Sequence, residues 1–373
     1  DHNMPVCVRA EGSLFRDLSK VQIPGVDAIW NQIWPETVND FPKFASSVSH
    51  VYGKPRTFSE SFAAYYTSPS IPQAKYVVDY QVVRGVNFFE FMFWMAGSAK
   101  ANWMTAPGMK GLNDYTNRAT YLMAQGVPGA RIAVYYPTST LWLGDNAVNP
   151  DLVSISQILL QHQKDFDWVD DDAFTEALSI TEAGFRNLSG QSYGTLIIPS
   201  CDVISTSAWE KMMEFAAAGG KVLFWGRKPT MLAGRSFMEP QPVPDTPDLL
   251  QEPSVSWTAT VAAAMPSPEM ELILPPKPEA PRRGPRTEEP EADPASFVRY
   301  TARHLTDGTL YFIFNEGEKE CSFKAAFDKP GSVKTWDAST GEISPLQSAS
   351  AGERTIIEMT LAPWESRIIS IGE

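Results

Sequence analysis

Short apolar runs alternate with segments of helical periodicity along the first 117 residues of the chain. The predicted strands are residues 5–10, 26–34, 56–61 and 86–94, and the predicted helices are residues 41–52 and 71–84. Gly53 and Gly85 follow the two helices, where a left-handed residue commonly ends a helix. Strands that recur with intervening helices predict βαβ units and a parallel sheet, and near-continuous apolar runs suit strands covered on both faces.

The alternation continues through residues 118–239 with shorter strands. The predicted helices are residues 118–125, 152–163 and 207–218, and the predicted strands are residues 132–136, 166–169, 195–199 and 221–225. This pattern predicts a doubly wound α/β domain, flavodoxin-like or glutamine-amidotransferase-like. Cys201 follows a strand, where an amidotransferase-like fold holds a nucleophile, but no suitably placed histidine follows within this region. We therefore interpret Cys201 as a buried thiol.

Composition changes at residue 240, and the last region returns to strict alternation. Residues 240–295 hold nearly half of the chain's 30 prolines and predict an extended connection. Residues 296–373 alternate around turns such as Thr306-Asp307-Gly308 and predict a small antiparallel β-sandwich. The pattern therefore divides the chain into residues 1–117, 118–239, 240–295 and 296–373.

Charge and composition exclude some classes of partner. The 373-residue chain carries a formal charge of −13 at pH 7, which disfavours binding to the phosphate backbones of nucleic acids. No run of about 18 apolar residues occurs, so the sequence predicts no membrane-spanning helix. Aromatic residues make up 12% of the chain, with 11 tryptophans, which suits stacking on sugar rings and equally suits large aromatic cores. The three cysteines lie far apart and predict neither a zinc site nor a disulfide framework.

Glu60 is the first candidate for chemistry. It lies near the end of the predicted strand 56–61, and the active sites of parallel α/β barrels lie at the carboxyl ends of their strands. An aromatic-rich segment follows and includes Tyr65, which we predict to contact substrate. The alternative is a glutamate that caps a helix or forms a salt bridge after the strand.

Glu90 interrupts a predicted strand that is otherwise apolar. A carboxylate in a strand covered on both faces must be paired, metal-bound or functional, because its burial alone is unfavourable. Alternation places Glu90 on the same face as Trp94, so we predict that both side chains face the pocket of Glu60. The alternative is a structural ion pair with Arg56 or Arg84.

Further polar and aromatic residues lie near the same strand ends. Glu11 follows the first predicted strand and is a third candidate catalytic carboxylate. Asp27, Asn31 and Trp34 lie on or just beyond the second strand and are candidates for contact with a sugar, although each is alternatively structural. Glycoside hydrolysis uses two carboxyl groups, about 5 Å apart for retention of configuration and roughly 6.5–9.5 Å apart for inversion. Carboxylates on separate strands can satisfy either requirement.

Five segments resemble glycoside hydrolase family 106, the α-L-rhamnosidases, and occur in the order expected for that family. They are residues 23–29 (IPGVDAI), 42–47 (PKFASS), 50–54 (HVYGK), 57–62 (TFSESF) and 84–87 (RGVN). The resemblance covers residues 5–137, and beyond them mainly the order of the regions. It departs from the family's pattern in two places: the histidine that often follows Gly-Val-Asn is absent, and the interval from Glu11 to Pro24 is short.

This resemblance implies a fold, an activity and a site. It implies a (β/α)8 barrel followed by a flavodoxin-like domain and β-sandwiches, with Glu60 as an active-site carboxylate of the seventh strand. Glu90 then lies on the eighth strand near a second acidic position. The resemblance also implies an inverting, calcium-assisted hydrolase, exported from a bacterial cell, in which carboxylates hold the metal near the sugar. Whether Glu60 is the acid, the base or a metal ligand stays open, and the resemblance assigns no other metal ligand.

The length of the first region changes the expected fold. A complete barrel takes about 250 residues, whereas about 117 precede the second domain. The expected fold class is therefore α/β: the carboxy-terminal half of a (β/α)8 barrel, then a flavodoxin-like or glutamine-amidotransferase-like domain, then a small antiparallel β-sandwich. Half a barrel exposes a sheet edge and part of its core. We therefore expect it to pair with a missing amino-terminal half, on the same or another chain, or with a second copy.

Together these observations predict a glycoside hydrolase that acts on α-L-rhamnosides or related linkages of an oligo- or polysaccharide by carboxylate acid–base catalysis. A second hypothesis is a retaining, β-galactosidase-like glycosidase, since such enzymes also append a flavodoxin-like domain to a barrel. A third is a non-catalytic carbohydrate-binding or assembly protein with an incomplete barrel. Clustering of Glu11, Glu60 and Glu90 favours the first two hypotheses over the third, and their spacing separates the first from the second.

Overall fold

The computed structural model describes residues 12–35, 40–65, 69–92, 107–234, 241–275 and 293–372. Within these ranges the chain is a mixed α/β protein. Its main sheets are one parallel sheet of three strands, one parallel sheet of five strands, and two antiparallel sheets of four and six strands. The predicted strand at residues 5–10 lies outside the described residues.

The first region is a three-stranded parallel sheet with intervening helices. Its elements are α1 (Leu14–Lys20), β1 (Gly25–Ala28), α2 (Pro42–Val51), β2 (Phe58–Ser61), α3 (Ile71–Val82) and β3 (Phe88–Phe91). The strands are parallel and lie in the order β1-β2-β3. Each crossover returns the chain to the same end of the sheet, so the carboxyl ends of all three strands lie at one edge. Gly53 (φ 67°) and Gly85 (φ 95°) follow α2 and α3 in the left-handed conformation, as predicted.

The strands of this sheet are shorter than the apolar runs that predicted them. The prediction of residues 26–34 ends at Ala28, because Trp30 (φ 51°) and Asn31 (φ 56°) adopt left-handed backbone conformations that cannot continue a strand. Of the predicted strand 86–94 the structure describes residues 86–92, and the strand within them is Phe88–Phe91. The apolar pattern therefore predicted where the strands lie, but it extended the first of them into the loop that follows.

The second region is a doubly wound parallel sheet. Its elements are α4 (Met109–Met123), β4 (Val127–Pro128), β5 (Ile132–Tyr135), α5 (Thr138–Trp142), α6 (Asn149–Gln161), β6 (Phe166–Val169), α7 (Asp171–Glu176), β7 (Ser179–Thr181), β8 (Gly184–Arg186), β9 (Ser192–Tyr193), β10 (Thr195–Pro199), β11 (Val203–Ser205), α8 (Thr206–Ala217), β12 (Lys221–Trp225), β13 (Met231–Ala233), β14 (Gln241–Pro242), β15 (Leu250–Glu252) and α9 (Ala259–Ala264). The central sheet has the order β6-β5-β10-β12-β15, which is the strand order of flavodoxin-like sheets.

Both faces of this five-stranded sheet are covered. Alternate residues of β5 belong to different cores: Ile132 packs in the same core as helix α6, and Ala133 packs in the core that includes helix α8. All four residues of β5 and all five of β10 are buried. Burial on both sides explains why these strands read as continuous apolar runs in the sequence.

The third region is a β-sandwich of two antiparallel sheets. Its strands are β16 (Met270–Ile273), β17 (Val298–His304), β18 (Gly308–Asn315), β19 (Cys321–Phe327), β20 (Ser332–Trp336), β21 (Ile343–Pro345), β22 (Ala349–Ala351), β23 (Arg354–Leu361) and β24 (Ser366–Gly372). One sheet has the order β16-β19-β23-β22, and the other has the order β21-β20-β24-β18-β17-β4. Alternating side chains of both sheets form one core between them, as is usual for sandwiches.

Two predicted boundaries differ from the structure. Position 117 falls inside helix α4, so the predicted helix 118–125 is only the second half of a helix that begins at Met109. The proline-rich residues 240–295 are more than a connection, because they supply β15 to the five-stranded sheet and β16 to the sandwich. Both strands have only three or four residues, and the surrounding prolines obscured them in the sequence.

A buried ion network joins the first region to the sandwich. Arg84, just beyond α3, donates from Nε to Asp40 at 2.8 Å and forms a second ion pair with Glu316. Its guanidinium carbon lies 3.5 Å from the ring centroid of Tyr80. Arg299 of β17 pairs with the same Glu316 at 3.2 Å. Buried charges that are paired on several sides are compensated, so this network fixes α3 against the sandwich.

Candidate active site

Three carboxylates lie side by side across the three-stranded sheet. Asp27 on β1 is in register with Glu60 on β2, and Glu60 is in register with Glu90 on β3. Each is the third residue of a four-residue strand and therefore lies near the carboxyl end of that strand. Because neighbouring strands are about 4.8 Å apart, the backbone positions of Asp27 and Glu90 are separated by about 10 Å, with Glu60 midway. We call these three residues the carboxylate row.

The carboxylate row occupies the face of the sheet opposite to helix α3. Successive side chains of a strand point to opposite faces, and Ser59 and Ser61, on either side of Glu60, are completely buried. Ser61 accepts a hydrogen bond from Nε2 of Gln81 in α3 at 3.1 Å. Glu60 itself is half-buried and Glu90 is exposed. Because one face of the sheet is covered by α3 and the other face is accessible, the strands can present these carboxylates to a ligand.

Within the described residues, the partners that the structural alternatives require for these glutamates are engaged elsewhere. Arg84 pairs with Asp40 and Glu316, and Arg56 donates to the backbone carbonyl of Asn87 at 3.3 Å. Within the described residues no ion pair involves Glu60 or Glu90. The helix that follows β2 is capped by Ser70 and Gln73, and Glu60 takes no part in that cap.

Mutual repulsion changes the acidity of Glu60. Partial burial raises the pKa of the Glu60 carboxyl, and the neighbouring charges of Asp27 and then Glu90 raise it further. A carboxyl group between two others resists ionisation, because its negative charge would face like charges on both sides. The raised pKa favours the protonated form of Glu60, which is the form required of a general acid.

The loops that follow β1 and β2 contain strained backbone. Trp30 and Asn31 follow β1 with φ of 51° and 56°, and Phe62 and Ala64 follow β2 with φ of 76° and 55°. The two loops are joined by a hydrogen bond from the Trp30 amide to the Ala63 carbonyl at 3.3 Å. Left-handed conformations cost about 1–3 kcal/mol each for residues with a side chain, and they cluster at functional sites. Both strained loops lie at the end of the sheet that carries the carboxylate row.

The residues that were predicted to contact substrate lie in different parts of the structure. Asn31 lies in the strained loop beyond Asp27, on the edge of the sheet where the row lies. Trp34 lines a separate cavity whose walls do not include the row. The prediction for Tyr65 is wrong for this structure, because its side chain is 2% exposed and packs edge-on against Phe62. The predictions for Glu11 and Trp94 fall outside the described residues.

Sequence reasoning missed Trp30 and Phe58 at this site. Trp30 directly follows the Asp27 strand and exposes 53% of its surface, which a tryptophan next to a strand end could have signalled. Phe58 and Phe88 lie two residues before Glu60 and Glu90 and therefore share their face. Their rings are 5.8 Å apart, and Phe88 is 46% exposed. The accessible face therefore combines carboxylates with exposed aromatic surface, which suits a ligand that has both hydroxyl groups and apolar C–H faces.

No group of three or more His, Cys, Asp or Glu side chains in the described ranges is arranged to hold a metal ion. The carboxylate row by itself does not fit the calcium site that the family resemblance implies, so no catalytic step is assigned to a metal. The helices of the described ranges include none long and apolar enough to cross a membrane.

Cys201 is a structural residue, as its sequence context indicated. Its side chain is fully buried, and burial raises the pKa of the thiol far above its usual value. A nucleophilic cysteine requires the opposite shift, because the thiolate is the reactive form. The interpretation of Cys201 as a buried thiol is confirmed.

With the fold and the carboxylate row established, comparison with known families defines the class of protein. The family model of glycoside hydrolase 106, described as alpha-L-rhamnosidase, matches residues 98–350. This range is more than half of the chain, and the chain belongs to that glycoside hydrolase family. The match rests on the second and third regions, so it confirms the predicted family from a different part of the chain than residues 23–87.

Solved structures share this architecture at low sequence identity. A rhamnosidase from Novosphingobium sp. PP1Y aligns with a TM-score of 0.68 at 17% identity, over 96% of this chain and 35% of that protein. An exo-carrageenase of family GH42 from Bacteroides ovatus aligns at 0.60 and 11% identity, over 99% and 51%. A GH42 β-galactosidase from G. stearothermophilus aligns at 0.57 and 12% identity, over 96% and 61%. At these identities the likeness shows the fold.

The chain spans between about a third and three fifths of the length of these structural relatives. No curated protein sequence matches it.

Proposed function

We propose that this chain belongs to a glycosidase that hydrolyses α-L-rhamnosides or related linkages in an oligo- or polysaccharide. The observation that carries the proposal is the in-register row of Asp27, Glu60 and Glu90 at the carboxyl ends of three parallel strands. Parallel α/β barrels place their catalytic groups at that end of the strands, and glycoside hydrolysis uses a pair of carboxyl groups. The family to which the chain belongs supplies the sugar.

In this proposal Glu60 is the general acid. Its raised pKa favours the protonated carboxyl, and the proton passes to the glycosidic oxygen as the bond from that oxygen to the anomeric carbon breaks. The neighbouring carboxyl groups of Asp27 and Glu90 offer oxygen atoms towards the positive charge that develops on the sugar ring. A second carboxylate takes a proton from a water molecule as that water adds to the anomeric carbon.

The spacing of the row bears on the stereochemical course. Inversion needs carboxyl groups roughly 6.5–9.5 Å apart, which leaves room for a water molecule, and retention needs about 5 Å. Glu60 and either neighbour are about 4.8 Å apart at the backbone, a separation that long side chains can widen or narrow. We propose inversion, in line with the family resemblance, with Glu90 as the base because its side chain is the more exposed to water.

We propose that residues 12–92 form the carboxy-terminal half of a (β/α)8 barrel, and that residues supplied by the same or another chain close the accessible face. The exposed ring of Phe88 on that face supports this view, since barrel interiors are packed with side chains. A calcium site and export from a bacterial cell remain proposals that follow from the family resemblance.

The test is Glu60→Gln in the full-length protein that contains this chain, assayed with an aryl α-L-rhamnoside. Loss of the proton donor predicts a fall in kcat of about 10²–10⁴-fold with an unchanged thermal midpoint. Glu358→Gln, at an exposed strand position of the sandwich, is the matched control and leaves the rate unchanged. Activity of the Glu60 variant within threefold of the parent would exclude Glu60 from catalysis. Glycan binding with no turnover by the parent protein would instead support the non-catalytic hypothesis.

A second candidate is a retaining glycosidase of the β-galactosidase kind. The observation in its favour is that Glu60 and Glu90 lie on adjacent strands in register, close to the spacing of about 5 Å that retention requires. The two candidates differ in the first product formed. Proton NMR of the anomeric signal during early turnover distinguishes them, because retention and inversion release opposite anomers.

A further inference from the structure

A cavity separate from the carboxylate row lies where the first region meets the sandwich. It has a volume of about 200 Å³ and is lined by Trp34, Pro35, Gln73, Tyr76, Glu318 and Trp364. The loop after β1, helix α3 and two turns of the sandwich each contribute to its wall. We call it the junction cavity. Pockets that bind drug-sized ligands have volumes of about 300–1,000 Å³, so this smaller cavity suits a single small ring.

Aromatic rings dominate the wall of the junction cavity. Trp364 is 37% exposed, although it lies beside the buried ring of Tyr76, with centroids 6.0 Å apart and planes at 72°. Trp34 is half-buried and belongs to the loop beyond Asp27. Tyr76 is held in turn against Phe314 of the sandwich at 5.5 Å. The indole surfaces that remain accessible are flat and apolar, and each indole also carries one N–H donor.

The backbone that presents Trp364 is strained and tightly held. Trp364 has φ of 60°, a left-handed conformation that is rare for a bulky residue. Its turn is fixed on both sides: the Ala362 amide donates to the Glu365 carboxylate at 2.8 Å, and the Glu365 amide donates to the Ala362 carbonyl at 3.1 Å. A strained residue that the surrounding structure over-determines is a hallmark of a functional position.

One buried asparagine holds both sandwich turns of the junction cavity. Asn315 is completely buried, and its side-chain amide donates to the Ala362 carbonyl at 3.0 Å, in the turn of Trp364. The same amide donates to the Lys319 carbonyl at 2.8 Å, and its oxygen accepts from the Gly317 amide at 3.0 Å, in the turn of Glu318. Both turns are therefore positioned before any ligand arrives, which reduces the entropy lost on binding.

Two polar side chains complete the wall. The Gln73 amide oxygen accepts from the Ser70 backbone amide at 2.9 Å in the cap of α3, which leaves its NH₂ group as a donor. Glu318 is exposed and offers carboxylate oxygens that accept hydrogen bonds. The wall thus presents apolar ring surface, at least one donor and a strong acceptor, the three features that a sugar ring with hydroxyl groups uses.

We propose that the junction cavity binds one uncharged sugar ring of the polysaccharide, outside the catalytic site. The ring stacks on Trp364 and Trp34, and its hydroxyl groups bond to Gln73 and Glu318. Glu318 and the overall charge of −13 repel a uronic acid. A quaternary ammonium ion needs ring faces on several sides, whereas Tyr76 is buried and turned edge-on to its neighbour. The proposal rests on the proposed function only in taking a sugar as ligand, and it does not require Glu60.

The test observes Trp364 directly. The full-length protein is labelled with 5-fluorotryptophan, and its ¹⁹F resonances are assigned with Trp364→Phe and Trp142→Phe. Titration with methyl α-L-rhamnopyranoside should shift the Trp364 resonance saturably, in the parent and in Glu60→Gln alike, while the exposed Trp142 resonance stays fixed. D-Galacturonate should bind at least about tenfold more weakly, equivalent to about 1.4 kcal/mol. Glu318→Gln should reduce the difference in affinity between methyl α-L-rhamnopyranoside and D-galacturonate.

Enzyme kinetics test the effect of the junction cavity on turnover separately from binding. Trp364→Ala should lower kcat/KM on the polysaccharide about tenfold more than it lowers kcat/KM on an aryl rhamnoside, as expected for one lost stacking contact outside the catalytic site. No saturable shift of the Trp364 resonance, or a shift caused by choline chloride and not by the rhamnoside, would overturn the proposal. Because Glu60→Gln tests catalysis alone, an active Glu60 variant with a normal Trp364 shift would refute the catalytic assignment and leave the junction cavity intact.

Discussion

Two carboxylates on parallel strands of this protein have opposite surroundings. Asp167 on β6 is completely buried and accepts hydrogen bonds from His50, Gln191 and Tyr193, each at 2.9 Å, with the Lys43 ammonium 3.6 Å away. Burial alone would raise its pKa, but the charges of His50 and Lys43 outweigh that effect and hold the pKa below the usual range. This carboxylate is fully neutralised and fully enclosed.

Glu60 on β2 differs in each of these respects. It is partly accessible, it lies between two other carboxylates, and its pKa is raised by burial, Asp27 and Glu90. The comparison teaches that a carboxylate within a parallel strand is not by itself a sign of function. The two carboxylates differ in their neighbours: cations and hydrogen-bond donors surround Asp167, whereas like charges flank Glu60. Only like-charged neighbours keep a proton available for transfer, because they raise the pKa of the carboxyl group.

The largest effect that tests the difference between Asp167 and Glu60 is a loss of stability, expected when Lys43 is replaced. Its ammonium is buried and contacts Asp165 at 2.8 Å as well as Asp167. Lys43→Met removes the cation and leaves buried carboxylates uncompensated, which should lower the free energy of unfolding by about 3–5 kcal/mol. Urea denaturation measures the change.

Two variants control for the Lys43 effect. Lys324→Met breaks only an exposed pair with Glu358 and should change stability by less than about 1 kcal/mol. Glu60→Gln should likewise leave stability nearly unchanged, since it removes no cation pair. If Glu60→Gln destabilised the protein as much as Lys43→Met does, Glu60 would be a structural carboxylate of the same kind as Asp167.

An intermediate effect is expected at Asp170, which caps helix α7 by accepting from the Ala173 amide at 3.2 Å. Burial, Asp172 and Asp171 raise its pKa to about 7. The folded protein then keeps a proton that the unfolded chain loses near pH 4, so this group makes the folded state less stable as the pH rises from about 4 to 7. Asp170→Asn keeps the cap and should stabilise the protein at pH 8 by between about 1 and 4 kcal/mol.

The pH series supplies its own control for Asp170. At pH 4 the aspartate is protonated in the folded state, and the variant and the parent should unfold at nearly the same urea concentration. If variant and parent differed in stability by the same amount at every pH, the assignment of a raised pKa to Asp170 would be contradicted.

The smallest effect concerns the pH profile of catalysis. Asp27 and Glu90 both raise the pKa of Glu60, and Asp27 has the larger influence. If protonated Glu60 is the acid, activity falls as the pH rises through its pKa, and this basic limb should move to lower pH in Asp27→Asn. In Glu90→Gln, which also removes the proposed base, the limb of the residual activity should move by less. The profile of kcat/KM on an aryl rhamnoside measures the shift. A limb that moves to higher pH, or does not move in either variant, would refute the electrostatic coupling of the row.

Much of the site could be predicted because its signals are local. Glu60 and Glu90 stand out as charged residues within predicted strands, and glycines mark where the helices before those strands end. The alternation of a strand has a period of two, so the face of Glu90 could also be predicted from the sequence. The family match confirms the kind of protein, although the assignment of catalytic roles to these residues stays a prediction.

The remaining features depend on distant contacts and could not be predicted. Tyr65 belongs to an aromatic-rich segment, but only packing against Phe62 shows that it faces inward. Trp364 lies nearly 300 residues from Gln73 in the chain, so no local pattern could show that they line one cavity. The short strand β15 is recognised only by its pairing with β12, because three residues carry too little periodicity to define a strand.

The two-residue strand β4 has a consequence for how the protein can be divided. Val127 and Pro128 precede the five-stranded sheet in the chain, yet they pair with β17 at the margin of the sandwich. A recombinant sandwich that started after residue 292 would lose this cover, and also β16 on the other sheet. One edge strand in each sheet would then have unpaired backbone groups that can pair with another molecule, so the isolated sandwich should self-associate. Expression of the second and third regions together avoids that outcome.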